Sequence, residues 1–444
     1  MHPRQAKLLL AVCLISLATL WACRLPKLCI FGAQDPSHGP VVHRDLDHSR
    51  ADAPFIAWPL ARVCRETTWT PGLVFVCDNN SGGIGNIRNY ILTCLRYSIS
   101  AGATGLIMPR IQSRSEENLA QLFRGHKSFS YFFDEAHFRQ ALKAACPQVT
   151  IYDEIKDVPD YSDMLRVESI TPNHYGSRGG CDRRDLNRHA DLFGSRFRAW
   201  LEESAPGTTN AEATKLARPR FVRLNWGVQW NYPVHRDGPE FVATFGGILK
   251  FRDDILQLGD FVTTAIRRRG ALLRTAGSSP DGYLGFHLRT ESDALKGWPD
   301  FTNQTSAYLQ RSSKVNLRTA YLATGNVTEA AKFTALALSD NHIQVFTKHE
   351  LLAASPKDLK AFESLSWDQQ SLIDFIVLLQ SDFFFGVSPS SFSMNVALKR
   401  HLKAEGLYTR PWNVGGDGDG RSWLVGNYDR YWEDWLFMYD SLWP

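Results

Sequence analysis

The stretch from Leu73 to Ile111 restricts the fold more than any other part of the chain. "LVFVCD" (73–78) is a short, β-branched, apolar run bounded by turn residues, the pattern of a buried strand. It runs into the glycine loop "NNSGGIGN" (79–86). Ile87, Ile91, Leu95 and Ile99 then recur every fourth residue, the stripe of a helix. "GLIMPRI" (105–111) reads as a second strand. Strand, glycine loop, helix and strand open a doubly wound α/β domain.

A second α/β series starts at Tyr283. "YLGFHLR", "AYLATG" and "HIQVFTK" read as strands. "WDQQSLIDFIVLLQ" reads as a helix with Leu372, Phe375, Ile376 and Leu379 on one face. "FFFGV" is a strand, "SPSSFS" a turn and "MNVALKRHL" a helix. The chain therefore has two α/β halves, the second entered near residue 280. Between 115 and 275 the pattern is weaker. "VTIYDEI" and "RFVRLNWGVQW" are strand-like, "DEAHFRQALKAA" and "HADLFGSRFRAWLEE" helix-like. Residues 241–270 suggest two helices, the second closed by a basic turn and Gly270. The expected layout is a cytoplasmic tail (1–7), a membrane anchor (8–23), a stem (24–70), an N-terminal half (71–278), a C-terminal half (279–414) and a tail packing back (415–444).

The anchor rests on Arg4 and Lys7 before the apolar run Leu8–Cys23, and on Arg24 and Lys27 after it. As a helix that run spans about 24 Å. This suits a thin early-secretory bilayer better than a core of about 30 Å. No small-x-small cleavage site follows, so the run reads as an uncleaved, single-pass type II signal anchor. A cleaved signal peptide is the rival, and Leu20–Cys23 is a poor lipoprotein box because of Trp21. Each reading puts the bulk of the chain across a membrane, as expected for the Golgi or endoplasmic reticulum. The sequons at Asn79, Asn303 and Asn326 agree with that. Pro36, Pro40, Pro54 and Pro59 mark the stem.

Cys13, Cys23 and Cys29 belong to the anchor region, and Cys64, Cys77, Cys94, Cys146 and Cys181 to the rest. With no C-x-x-C pair, zinc and thioredoxin-like readings fail. Two disulfides with one cysteine left over, or buried thiols, both fit. A net charge of +4 is too weak to argue for nucleic acid, and no basic block or zinc-finger spacing supports it, so no nucleic-acid partner is expected.

Three motifs carry chemistry. In "GGIGN", Gly82, Gly83, Gly85 and Asn86 sit between strand and helix, where amides and the helix N-terminus suit phosphate. It is neither the G-x-G-x-x-G nor the P-loop pattern, and a tight structural turn is the plain alternative. In "FHLRTESD", His287 and Arg289 share one face at the C-terminal end of a strand, the edge where open α/β sheets bind ligands. A guanidinium fork holds two phosphate oxygens at once. The plain alternative is a salt-bridged strand end, with Glu291 and Asp293 as partners. In "FFFGVSPSSFS", Ser388, Ser390, Ser391 and Ser393 crowd a strand–helix junction, where one hydroxyl would suffice for capping. Upstream, Asp374 stands among apolar neighbours and needs a partner; a guanine edge offers two N–H donors.

The order and spacing of these motifs resemble the GDP-fucose protein O-fucosyltransferase superfamily, which includes related α1,2- and α1,6-fucosyltransferases. The resemblance covers roughly residues 73 to 400 and is weakest between 115 and 275, where an acceptor would be recognised. It implies a GT-B fold, two Rossmann-like domains facing a cleft, with the acceptor on the first and the GDP-sugar on the second. It implies an inverting transfer from GDP-fucose to a protein or glycan hydroxyl, with no cofactor and no metal ion. Asn86 then matches the family's asparagine near sugar and diphosphate, and Arg289 the arginine that holds the diphosphate. His287 matches a donor-site histidine and Asp374 the guanine-reading acid. Ser390, Ser391 and Phe392 match the segment around phosphate and base. The protein O-fucosyltransferases usually follow His-x-Arg with a glycine and an Asp-Trp pair. Here Thr290 and Glu291 follow, and Gly297-Trp298 comes later. Glu291 and Asp293 are candidates for a catalytic base, or for orienting Arg289.

Three rivals stand beside this. A metal-dependent transferase would use Asp417-Gly418-Asp419, which reads better as a polar turn. The same fold could take another nucleotide sugar or a cell-wall glycan acceptor. A non-catalytic lumenal binding protein could keep the cleft.

Overall fold

The structure is a computed structural model that describes residues 47–171, 193–204, 216, 218–225, 232, 234–273, 281–294, 297–403, 420–426 and 442–444. The expected cytoplasmic tail, the anchor and about half of the stem lie outside these residues, as do Cys13, Cys23, Cys29, Cys181, Asp417 and Asp419. Among the described residues no helix is long and apolar enough to cross a membrane. Residues 46–444 form one compact unit.

The first half opens with α1 (Ala57–Glu66), β1 (Thr70–Val76), α2 (Ile84–Ser100) and β2 (Ala103–Ile107). A short hairpin, β3 (Ile111–Ser113) with β4 (Gly125–Lys127), follows. Next come α3 (Glu135–Ala145), β5 (Thr150–Tyr152), β6 (Val167–Ile170), α4 (Phe193–Glu203) and β7 (Arg220–Leu224). Helices α5 (Pro239–Phe245) and α6 (Asp253–Leu272) lead to the second half. That half contains β8 (Leu284–His287), α7 (Phe301–Ser312), β9 (Thr319–Ala323), α8 (Val327–Asn341) and β10 (Gln344–Phe346). It continues with α9 (Lys348–Leu352), α10 (Pro356–Glu363), α11 (Trp367–Leu379), β11 (Phe383–Val387), α12 (Ser391–His401) and β12 (Ser422–Val425).

Each half builds a five-stranded sheet, in the orders β5-β2-β1-β7-β6 and β10-β9-β8-β11-β12. Every pairing in both sheets is parallel. The first strand of each half lies in the middle, because the chain builds one side of the sheet and then crosses to the other; in the first half it reaches the far edge at β6 before returning to β7 beside β1. That reversal opens a crevice at the C-terminal end of the central strand, where doubly wound sheets bind ligands. β1 runs there into the glycine loop, and β8 ends there at His287.

Parallel sheets covered on both faces need strands apolar on both sides. β8 and β9 are buried throughout. One hydrophobic cluster runs from the inner face of the first sheet, through α2 and α6, to α11 and α12 of the second half. Smaller clusters fill the outer faces: Phe286, Tyr308, Phe333 and Phe385 in one half, Val74, Ile107 and Phe221 in the other. The halves therefore share a core.

Three expectations are corrected. The stem does not reach residue 70: α1 buries Leu60 and Val63, and Cys64 is disulfide-bonded to Cys146, so this segment belongs to the folded unit. Residues 422–425 are not tail but β12, which pairs with β11 and covers its edge. Gly270 does not end its helix, which continues to Leu272. Glycine is needed there for another reason: a Cβ would come 2.8 Å from the Gly282 carbonyl, where the next segment crosses. A second disulfide joins Cys77, just past β1, to Cys94 on α2. Beyond β12, 442–444 is the described part of the expected returning tail, and Trp443 is buried against Tyr232, Phe241 and Phe245 of the first half.

Candidate active site

The glycine loop turns at Gly82, whose φ of 89° is left-handed. Gly83 is the N-cap of α2 and supplies no side-chain cap, so the amides of that first turn receive no capping hydroxyl or carboxylate from it. Facing it, α12 begins at Ser390, whose hydroxyl accepts the Ser393 N–H. The two helix starts touch. A Cβ on Gly85 would lie 2.8 Å from the Ser391 carbonyl carbon and 2.9 Å from the Phe392 nitrogen, so only glycine fits. Two partially positive helix ends thus meet at the bottom of the cleft.

β8 delivers His287 and Arg289 to the same place. His287 Nδ1 lies 2.6 Å from Ser393 Oγ. That oxygen also accepts the Val387 N–H at 3.0 Å, so the serine ties the imidazole to the end of β11. Burial lowers the His287 pKa to about 4, which keeps the ring neutral at physiological pH. The Arg289 backbone is clamped by α7. Gln304 Oε1 accepts the Arg289 N–H at 2.9 Å, while Gln304 Nε2 donates to the carbonyls of Arg289 (2.9 Å) and Pro299 (2.6 Å). One turn on, the Tyr308 hydroxyl donates to the His287 carbonyl at 2.9 Å.

The Arg289 guanidinium donates to Glu291 at 2.7 Å and to Asp293 at 2.8 Å, and lies 5.6 Å from the Trp298 ring centroid. Glu291 also accepts the Gly325 N–H at 2.8 Å. Burial pushes the Glu291 carboxyl up. Arg289, His287 and the Gly325 amide pull it down further, and the balance lies below the usual carboxylate value. Both candidates for a base are thus engaged as holders of the arginine, and Glu291, so stabilised, is a weak proton acceptor. Asp374 is likewise engaged. Its oxygens accept from the Tyr321 hydroxyl (2.6 Å) and from Lys348 Nζ (2.5 Å), as a carboxylate on a buried helix face requires.

These residues surround one cavity of ≈ 1200 Å³. Gly82, Gly83, Gly85, Asn86, His287, Arg289, Glu291, Asp293, Asp374, Ser390, Ser391 and Phe392 all line it. The wall also contains residues that pattern reading missed: Arg114, Trp298, Lys348 and Trp367. Arg114 follows a three-residue strand at the edge of the stretch with weak pattern, and its partners lie far away in sequence. Among the described residues no group of three or more His, Cys, Asp or Glu side chains is arranged to hold a metal ion.

Residues 73–403 match the family described as GDP-fucose protein O-fucosyltransferase. No curated protein matches the chain in sequence. Among solved structures, it is similar to POFUT1 in complex with GDP-fucose, at 12% identity and a TM-score of 0.44, covering 82% of this chain and 100% of the other. It is similar to a mutant of Arabidopsis thaliana FUT1 in complex with GDP at 11% identity and a TM-score of 0.39, covering 77% and 71%. Similarity to the fucosyltransferase NodZ from Bradyrhizobium has 16% identity and a TM-score of 0.38, covering 74% and 92%. With three quarters of its length matched by one family, the chain belongs to the GDP-fucose protein O-fucosyltransferase family and is a glycosyltransferase.

Proposed function

We propose that this protein transfers fucose from GDP-fucose to a hydroxyl of a protein or glycan, with inversion and without a metal ion, in the secretory pathway. The observation that carries the reading is convergence. The glycine loop, the strand end at Arg289 and the 390–392 turn come from three distant stretches, yet they bound one cavity between two sheets. Family membership supplies the donor. Two disulfides support an oxidising compartment.

In this reading the GDP diphosphate lies between the two helix starts and Arg289. The acceptor oxygen attacks the anomeric carbon from the face opposite the nucleotide, and the bond from that carbon to the β-phosphate oxygen breaks. Charge developing on that oxygen is met by Arg289, by the amides of the 82–86 loop and by the 390–392 turn, all held in place before reaction. Neutral His287 lines the cavity beside them. Glu291, Asp293 and Asp374 are each paired with a cation, so the acceptor's hydroxyl proton is released to water on the acceptor face and GDP departs as the anion held by Arg289.

The test is a panel of nucleotide sugars incubated with the protein in EDTA, scored by hydrolysis and thermal shift. GDP-fucose turnover and stabilisation by GDP but not UDP are expected. Arg289→Ala should lower the rate by roughly 10²- to 10³-fold. Loss of all nucleotide binding in EDTA would move the assignment to a metal-dependent transferase.

A further inference from the structure

Arg114 comes from the first half, at the end of β3, and reaches into the second. Its guanidinium pairs with Asp368 at 2.9 Å and with Asp293 Oδ2 at 3.3 Å. It lies 4.5 Å from the Trp367 ring centroid, and its Nη2 is 3.4 Å from where a Cβ on Gly83 would be. The other oxygen of Asp293 accepts from Arg289. One carboxylate thus sits between two guanidiniums, one from each half, beside the glycine loop. Side chains of Arg114, Asp293 and Arg289 are only 8%, 13% and 17% exposed, so the cluster interacts with little screening.

The charges in this part of the wall are Arg114 and Arg289 against Glu291, Asp293 and Asp368. With every carboxyl ionised, the cluster is negative overall and opposes an incoming diphosphate. A diphosphate presents more oxygens and more charge than a carboxylate, and two arginine forks grip it from two sides. We propose that Arg114 is a second diphosphate-binding arginine, closing on the β-phosphate from the side opposite Arg289, and that Asp293 competes with that phosphate for both guanidiniums. This rests on reading the cavity as a GDP-sugar site.

The consequence is a division of labour. Arg289 belongs to the sheet that carries the donor, whereas Arg114 belongs to the opposite half. The β-phosphate then bridges the halves, and its departure after transfer removes that bridge.

The test is calorimetric titration of GDP, GMP and guanosine into the full chain, its Arg114→Gln and Arg114→Lys variants, and Asp293→Asn. Arg114→Gln should weaken GDP by roughly 10- to 100-fold, the loss of charge-assisted hydrogen bonds, and guanosine by less than about 3-fold. Arg114→Lys should fall between the two. Asp293→Asn removes the competitor and should tighten GDP several-fold, a gain that misfolding cannot mimic. GDP binding equal in wild type and Arg114→Gln overturns the inference alone. So does an equal loss of guanosine and GDP, which would make Arg114 a latch between the halves, or weaker GDP binding by Asp293→Asn. Absence of GDP binding by the wild type overturns the inference and the donor reading together.

Discussion

Replacing Gln304 tests whether the position of Arg289 is set from behind. The side chain is fully buried and spends its whole amide on main-chain groups: the Arg289 N–H and the carbonyls of Arg289 and Pro299. Gln304→Leu keeps much of the volume and leaves three backbone groups without that partner. At about 1–2 kcal/mol for each, the loss comes to about 3–6 kcal/mol, a large part of the ~5–15 kcal/mol that holds a domain folded. Gln304→Glu is the sharper probe. Its carboxylate can still accept the Arg289 N–H, but it faces two carbonyl oxygens where a donor stood. Its folded-state pKa is therefore raised, and the folded protein binds the proton more tightly than the unfolded chain. Stability of this variant relative to wild type should fall as pH rises above about 4.3, by up to ~1.4 kcal/mol per unit, until the folded pKa is passed. Urea unfolding of the three proteins between pH 4 and 8, with GDP affinity measured beside it, reads both effects. A Gln304→Leu midpoint within error of wild type would refute the clamp. So would a Gln304→Glu deficit that does not change with pH.

His287 is buried neutral with a pKa near 4, below the unfolded value of about 6.5. Its contribution is complete above pH 6.5 and disappears as pH falls toward 4, about 3 kcal/mol in all, a slope that His287→Asn should lack in urea melts across that range. Gly85→Ala forces a methyl against the 391–392 backbone, so it should cost about 1–3 kcal/mol and weaken GDP binding, read by thermal melt and titration. Reduction of the disulfides, which span 82 and 17 residues, should lower stability by ~4.5 and ~3 kcal/mol respectively in the loop-entropy account, and an unchanged unfolding curve in reductant would contradict it.

Where local sequence decides local structure, the chain was readable. The glycine loop had to join a buried strand to an apolar-striped helix, and it does. The serine run was legible as the junction before a helix, but read as a turn with the helix from Met394; the helix starts three residues earlier, at Ser391, with Ser390 as its cap. What escaped reading depends on partners that sequence does not place side by side. β6 is a four-residue edge strand with one buried residue, so it carries little pattern. β12 acquires its role by lying on β11, far back in the chain. Arg114 is notable only for partners 179 and 254 residues away. Gln304 and Tyr308 look like ordinary members of a helix, because what they bind is backbone. The carboxylates after Arg289 were visible as candidates, and only geometry shows that they point at the arginine.

The contact between Gly85 and Ser391 has a consequence for synthesis. A ribosome making this chain from its N-terminus completes the first sheet long before residue 391 leaves the exit tunnel. Until then the glycine loop lacks its opposite wall, and no nucleotide-shaped space exists. Ligand affinity should switch on late and abruptly, so nascent or truncated chains cannot sequester sugar donor, and capture on an immobilised guanine nucleotide would select only finished molecules.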